Sequence, residues 1–121
     1  MLNCVMVGIG GFIGSVCRYL IGLLPFETNS GFPIKTLAIN VIGSFLISFI
    51  AVLAAKNKGL NSQIVLMLRV GVCGGFTTFS TFAYESAELI KNGHTMIAFA
   101  YICASVVLGT AAIFAAQVLL K

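Results

Sequence analysis

The residues of this chain that could do chemistry are neutral amides, hydroxyls and aromatic rings. Within one apolar run, Thr36, Asn40, Ser44 and Ser48 recur every four residues and therefore share one face of a helix. Serine and threonine can bond back to carbonyls of their own helix. The amide of Asn40 has two donors that are costly to leave unpaired in hydrocarbon, so either a neighbouring helix or a permeating anion must meet them.

A second neutral group lies in the string GVCGGFTTFSTF, residues 71–82. Phe79 and Phe82 are three residues apart and share a helical face, with Ser80 and Thr81 between them. Two phenylalanines at this spacing usually contact a core or lipid. After a run of glycines, however, their ring edges offer a positive potential that can face an anion without trapping it. The pattern suits passage of an anion better than its storage.

The glycines of this string also predict a break in the helix. A break leaves free carbonyls at the end of the first half, which can coordinate a cation, and free amides at the start of the second half, which favour an anion. Gly74, Gly75 and Thr77 are placed to offer those carbonyls. Glycines in membrane helices also allow close packing, and the pair Gly10 and Gly14 fits that interpretation.

Composition places these groups in a bilayer. The chain has 121 residues, of which 60% are apolar and 8% charged, and its mean hydropathy is +1.10. A soluble domain carries about 25% charged residues. A membrane span needs about 20 residues, so the length allows at most four spans and excludes a separate enzyme domain.

Three polar interruptions, at residues 25–33, 56–62 and 91–94, divide the chain into four apolar runs. The predicted fold is an all-α membrane protein, a single domain over residues 1–121, with spans at residues 2–24, 34–55, 63–90 and 95–120. The third helix should break near its middle. Non-helical backbone at membrane depth requires satisfaction by protein or water, so this break should face inward.

No catalytic set emerges from the residues. A nucleophile needs a base and an orienting partner, but the single histidine, His94, lies in a loop and the three carboxylates lie near span ends. A proton-coupled exporter similar to the small four-span multidrug exporters is also disfavoured. Such exporters use an acid buried in the first span, whereas the first acid here is Glu27, in a loop.

The basic residues give almost no orientation bias. One side of the membrane would have Lys56, Lys58, Lys121 and Arg69, and the other Lys35, Lys91 and Arg18. Such a chain can insert both ways up, which makes an antiparallel homodimer available. A single topology fixed by the second loop is the alternative. Arg18, inside the first span, either lines a wet vestibule or anchors the helix at the interface.

The motifs resemble those of one family, the small bacterial and archaeal fluoride channels known as CrcB or Fluc proteins. The resemblance covers the whole chain and is carried by three strings: GGFIGSVCRY at residues 10–19, KTLAINVIGSF at 35–45 and GVCGGFTTFSTF at 71–82. It implies a dual-topology, antiparallel homodimer of four-helix subunits in the cytoplasmic membrane of a prokaryote. Its two pores would pass fluoride passively and lower cytoplasmic fluoride. A heterodimer with a paralogous, oppositely oriented subunit is also compatible.

The resemblance also assigns roles to individual residues. Asn40, Phe79 and Phe82 match the pore asparagine and the paired pore phenylalanines, and Arg18 matches the vestibule arginine. The hydroxyls that would continue the fluoride path are Ser80, Thr81, Tyr101 and Ser105. Glu85 resembles a conduction-linked acid near the pore end. A structural sodium ion at the dimer interface would be held by the backbone carbonyls of Gly74 and Thr77, while Gly109 stands where some relatives have a serine.

Three hypotheses follow from the sequence. The first is a fluoride channel, the second a non-conducting membrane assembly subunit whose glycines and phenylalanines only pack helices, and the third a proton-coupled exporter. Fluoride release from liposomes with no proton gradient distinguishes the first from the other two.

Overall fold

Each of the four apolar runs forms a helix long enough to cross a bilayer. The computed structural model describes all 121 residues and contains helices and loops but no strand. The membrane-spanning helices comprise α1 (Leu2–Gly22), α2 (Ile34–Lys56), an interrupted third span (Ser62–Lys91) and α6 (Thr95–Leu119). They contain 21, 23, 30 and 25 residues, against the requirement of about 20. The prediction of an all-helical fold with four spans is confirmed.

The surface of the subunit is apolar. Only 16 of the 121 residues are buried, and large side chains such as Phe12 and Val118 are about 70% exposed, at 72% and 70%. A monomeric protein in water rarely exposes a continuous apolar surface of this extent. In a bilayer the same side chains contact lipid or another subunit, so the arrangement is that of a membrane protein.

Glycines bring α1 and the third span into backbone contact. A Cβ atom added to Gly14 would overlap the Val72 carbonyl oxygen, and one added to Gly71 would lie 2.8 Å from the Cα atom of Gly10. Real Cβ atoms do not approach other atoms so closely, and small residues are what allow two membrane helices to pack backbone to backbone. The packing interpretation of Gly10 and Gly14 is therefore correct.

The third span consists of four helical pieces. It begins with α3 (Ser62–Leu66), continues through a π-helical segment (Met67–Cys73) into the short α4 (Gly74–Phe76), and resumes as α5 (Phe79–Lys91). The side chain of Asn61 caps the start by accepting hydrogen bonds from the amides of Gln63 and Ile64. Between α4 and α5 the helix is broken, in the middle of the span, as the sequence predicted.

The break is formed by two threonines and not by the glycines. Thr77 and Thr78 are extended, with φ/ψ of −81°/157° and −150°/115°, whereas Gly74 and Gly75 remain helical. β-Branched residues accept an extended backbone readily. The hydroxyl of Thr77 donates to the Cys73 carbonyl at 2.9 Å, and the hydroxyl of Thr78 accepts from the Thr81 amide at 3.2 Å as the N-cap of α5. The threonines thus close the helix ends on both sides.

Helices α2, α5 and α6 pack against one another around the break. The hydroxyl of Ser48 in α2 donates to the Ile113 carbonyl in α6 at 2.9 Å, which joins these helices inside the membrane. The buried core cluster is small and contains residues of α2, α5 and α6: Leu37, Leu89, Ala98 and Tyr101. This core holds α2, α5 and α6 together near the first loop, whose Phe32 packs against it.

Candidate functional site

The amide of Asn40 is bonded to the backbone at the break. Its Nδ2 atom donates to the Thr78 carbonyl at 3.1 Å, and its Oδ1 atom accepts from the Thr78 amide at 2.8 Å. These two bonds replace those that a continuous helix would have given Thr78. One of the two donors predicted to need a partner therefore has one in a neighbouring helix, while the second N–H of Asn40 makes no hydrogen bond within the chain.

A cavity of about 400 Å³ opens beside this pair. Its wall includes seven of the residues singled out in the sequence: Asn40, Ser44, Gly74, Thr77, Phe79, Phe82 and Ser105. They come from α2, from both sides of the break and from α6, so only the folded chain brings them together. The wall contains no charged side chain.

The two phenylalanines are neighbours but differ in their surroundings. Their ring centroids are 5.7 Å apart and their planes are inclined at 54°. The Phe82 ring also packs edge-on against Tyr101, with a centroid distance of 5.1 Å. Phe79 is 78% exposed and projects from the surface of the chain. Of the two rings, only Phe82 is held in place by the subunit itself.

The predicted hydroxyl path is divided by the fold. The Oγ atom of Ser105 is buried, lines the 400 Å³ cavity and has no hydrogen-bond partner. Thr81 lines a second, larger cavity, whereas Ser80 is exposed and lies in the wall of neither. Tyr101 is fully buried and also lines neither cavity. Of these hydroxyl groups, only that of Ser105 lies in the same cavity wall as Asn40 and lacks a hydrogen-bond partner.

Glu85 connects three helices near the end of the site. One oxygen of its carboxylate accepts from the Thr36 hydroxyl of α2 at 3.0 Å, and the other accepts from the Tyr101 hydroxyl of α6 at 2.9 Å. Thr36 and Tyr101 are both buried. The carboxylate is thus fixed in position by two donors, one for each oxygen.

The larger cavity, of about 770 Å³, lies at the end of the subunit next to the first loop. Arg18, Thr81 and Glu85 are among the residues that line this cavity, which is called the vestibule below. Thr78 contributes to the walls of both cavities. The two spaces therefore adjoin at the break, and together they extend from the first loop to the middle of the membrane.

The carbonyls proposed for a cation are partly free. The carbonyl oxygen of Thr77 accepts no backbone or side-chain hydrogen bond within the chain. Gly74 is exposed, and a Cβ atom added to it would meet no atom of the chain within 4 Å. The chain has no group of three or more His, Cys, Asp or Glu residues that could hold a metal. Any cation here would depend on neutral carbonyl oxygens, which replace the hydration shell of monovalent cations in channel filters.

Sequence reasoning missed two sets of contacts in this region. It identified Asn40 and the break separately, but the bonds between Asn40 and Thr78 join residues 38 positions apart. It likewise named Thr36, Glu85 and Tyr101 without connecting them. The only signals of that arrangement were a tyrosine and a threonine at inward positions of apolar helices. Each has a hydroxyl that needs a hydrogen-bond partner.

Comparison with known proteins identifies the relatives of this chain. The family model described as "CrcB-like protein, Camphor Resistance (CrcB)" matches residues 5–117. A protein of Chlorobaculum tepidum is 46% identical over 121 residues, which cover all of this chain and 96% of the relative. A protein of Rhizobium meliloti is 43% identical over 122 residues, covering all of this chain and 98% of the relative.

A third relative, from Agrobacterium fabrum, is 42% identical over 116 residues, covering 95% of this chain and 93% of its own. All three are named "Fluoride-specific ion channel FluC". The names describe channels and not enzymes, so the prediction of a protein without catalytic activity is confirmed. Together with the four apolar helices, they identify a multi-pass membrane protein.

Proposed function

This chain belongs to the CrcB family of ion channels, and we propose that it forms a fluoride-selective channel through which fluoride leaves the cell passively. The observation that carries the proposal is the 400 Å³ cavity, whose wall combines Asn40, Phe79, Phe82 and Ser105 and has no charge. The relatives named as fluoride-specific channels support the choice of ion. The channel would lie in the cytoplasmic membrane and lower cytoplasmic fluoride.

The donors around the cavity suit a small, strongly hydrated anion. Fluoride must exchange its water for other donors, but conduction requires that no single site hold it too tightly. Asn40 has one unused N–H and Ser105 has one unused hydroxyl. The N-terminus of α5 adds a partial positive charge at Phe79. Each of these donors is neutral or carries only a partial charge, so none holds fluoride too tightly for it to move to the next.

The aromatic rings would complete this environment. The edges of Phe79 and Phe82 offer a weak positive potential, and they exclude water from the side of the cavity that they cover. Thr81, Ser80 and Tyr101 would serve the path beyond this cavity. Arg18 would attract anions in the vestibule, and Glu85 would keep its place through Thr36 and Tyr101.

The subunit surface favours an antiparallel homodimer. Phe79 is 78% exposed, and the exposed residues Gly74, Ser80 and Thr81 lie near it in the chain at the depth of the break. A polar strip of this kind is costly against lipid, so a second subunit is the natural cover. The near-equal division of lysine and arginine agrees with opposite orientations. A paralogous subunit in the second position is the alternative partner.

The same contact would create the sodium site. If Gly74 and Thr77 of two antiparallel subunits meet on the dimer axis, their four carbonyl oxygens surround one monovalent cation without a carboxylate. The unbonded Thr77 carbonyl and the open space at Gly74 support this arrangement. The sodium ion would be structural and would stabilise the dimer.

Purified protein in liposomes loaded with potassium fluoride tests the function. With valinomycin to compensate charge and no proton gradient, we expect rapid fluoride release detected by an electrode, and far slower chloride release from matched chloride-loaded liposomes. A lack of fluoride release would favour the assembly subunit whose glycines only pack helices. Release that requires a proton gradient would favour an exporter.

A further inference from the structure

The ammonium group of Lys35 caps a different helix from its own. Lys35 is the second residue of α2, and its Nζ atom donates to the carbonyls of Gly22 at 2.9 Å and Leu24 at 3.2 Å. Both carbonyls lie at the C-terminal end of α1 and accept no other hydrogen bond in the chain. Pro25 follows Leu24 and has no N–H, so it cannot donate to the Gly22 carbonyl three residues before it. Lys35 therefore supplies the donor that the local sequence lacks.

This cap lies at the rim of the larger cavity. Gly22 and Lys35 both line it, so the C-terminus of α1 is directed toward the path that leads to Thr78 and the smaller cavity. A helix C-terminus carries a negative charge equivalent to about half an elementary charge. Without a cation on these carbonyls, an approaching anion would meet that negative end at the vestibule.

The other charged side chains of the vestibule increase the importance of the positive charge on Lys35. All three carboxylates of the chain, Glu27, Glu85 and Glu88, line this cavity, and only Arg18 and Lys35 oppose them. Loss of the Lys35 charge would leave one cation against three carboxylates and the end of α1. Because a cleft focuses the field of its walls, such a change alters the local concentration of an ion.

We propose that Lys35 controls the rate at which anions enter from the first-loop side, by neutralising the C-terminus of α1 in a vestibule that is otherwise mainly negative. The inference rests on the proposed fluoride conduction. Lys35 acts through the α1 carbonyls, whose negative charge it neutralises, and it is therefore a positioning residue. Its effect depends on its positive charge as well as on its hydrogen bonds. One elementary charge about 7 Å from an ion in water changes the local ion concentration about threefold.

The test compares Lys35→Gln with Lys35→Arg in the liposome assay. Glutamine keeps a donor for the α1 carbonyls but removes the charge, whereas arginine keeps both. We expect Lys35→Gln to reduce fluoride release about threefold at low ionic strength. In about 300 mM potassium gluconate the difference should largely disappear, because the Debye length, about 8 Å at 0.15 M salt, then falls below the separation of about 7 Å. Lys35→Arg should release fluoride at the wild-type rate under both conditions.

Lys91→Gln is the matched control, because Lys91 is exposed near the same end of the subunit but does not line the cavity. It should leave release unchanged. Glu27→Gln removes a charge of opposite sign from an exposed loop residue of the cavity wall, and it should increase release at low ionic strength. This variant tests the vestibule charge even if Lys35→Gln weakens folding.

The outcomes separate this inference from the proposed function. Wild-type protein that releases no fluoride overturns both. Wild-type release together with an unchanged rate in Lys35→Gln, or a loss in Lys35→Gln that is the same at low and high salt, overturns the role of Lys35 alone. A purely structural role would change the thermal stability of Lys35→Gln without any dependence of release on salt.

Discussion

Asn40 and Thr78 form a two-bond pair in which a side-chain amide satisfies both backbone groups of a single residue at the helix break. Thr78 lines both cavities, so this pair stands where the vestibule meets the smaller space. One N–H and the oxygen of Asn40 hold the backbone in its extended form. The other N–H has no partner within the chain, and in the proposed channel it would be the donor for fluoride.

Replacing Asn40 should therefore damage both stability and conduction. In Asn40→Asp, a carboxylate oxygen would face the Thr78 carbonyl where an N–H now donates, and no donor would remain for fluoride. We expect at least about tenfold slower fluoride release, equivalent to about 1.4 kcal/mol in the barrier. We also expect a loss of about 1–3 kcal/mol of stability from the unpaired carbonyl. Fluoride-electrode assays and thermal denaturation in detergent measure the two effects.

Ser86→Ala is the control for this substitution. The Ser86 hydroxyl is buried and bonds only to the Phe82 carbonyl of its own helix, at 2.8 Å. Its removal should change neither rate nor stability by much, since the carbonyl is already within a helix. Wild-type release by Asn40→Asp would show that the amide serves only to hold the backbone or has no part in the path.

The sequence predicted the parts of this site better than their connections. Long apolar runs and polar interruptions are local signals, so four spans and the break near Gly74 were accessible from the chain alone. The exact residues of the break were not, because glycine permits non-helical backbone but does not require it. The extended residues are Thr77 and Thr78, since Asn40 in α2 is available to bond Thr78. That decision depends on a contact across 38 residues.

The cap on α1 shows the same limit. In the sequence, Lys35 is one more basic residue near the end of a span, and only its positive charge follows from the residue type. Its attachment to Gly22 and Leu24 depends on the path of the first loop, which returns α2 beside the end of α1. Because Pro25 has no N–H, the sequence indicates that a carbonyl at the end of α1 needs another donor. It does not identify the residue that provides this donor.

Gly14→Ala should destabilise the subunit through the contact between α1 and the third span. The added methyl group would overlap the Val72 carbonyl and lie 2.8 Å from the Phe76 amide nitrogen, both of which are backbone atoms. The helices must separate to accept it, which should cost about 1–3 kcal/mol or more. Gly8→Ala, on the same helix, meets no atom within 4 Å and should be neutral or slightly stabilising. Equal melting temperatures for the two variants would contradict the observed packing.

Gly74→Val tests the dimer and its sodium site. Within one subunit an added Cβ atom meets no atom within 4 Å, so we expect helical content and the subunit fold, followed by circular dichroism, to be unchanged. If two subunits meet at Gly74, the bulk would block assembly, and the protein should elute as a monomer that does not release fluoride. Gly8→Val, also in open space, should remain dimeric. A dimeric, fully conducting Gly74→Val would place the subunit contact and the cation elsewhere.

Replacing either of the two phenylalanines should slow conduction, but only the replacement of Phe82 should lower the stability of the subunit. Isoleucine keeps apolar bulk at either position but removes the ring edge, so Phe79→Ile and Phe82→Ile should each slow fluoride release by about tenfold or more. Phe79 is 78% exposed, and its replacement should leave the melting temperature of the subunit unchanged. Phe82→Ile also loses the edge-on contact with Tyr101 at 5.1 Å, and should cost about 0.5–1.5 kcal/mol.

Phe12→Ile provides the comparison for these variants, because Phe12 is 72% exposed on α1 and lines neither cavity. It makes the same change, phenylalanine to isoleucine, on the apolar surface, and the variant should conduct like the wild type. Rates are to be measured on fractions of verified dimer, so that a loss of assembly is not counted as a loss of conduction. If Phe79→Ile and Phe82→Ile dimers release fluoride as fast as Phe12→Ile, the rings only pack helices, and the fluoride path must rely on Asn40 and Ser105 alone.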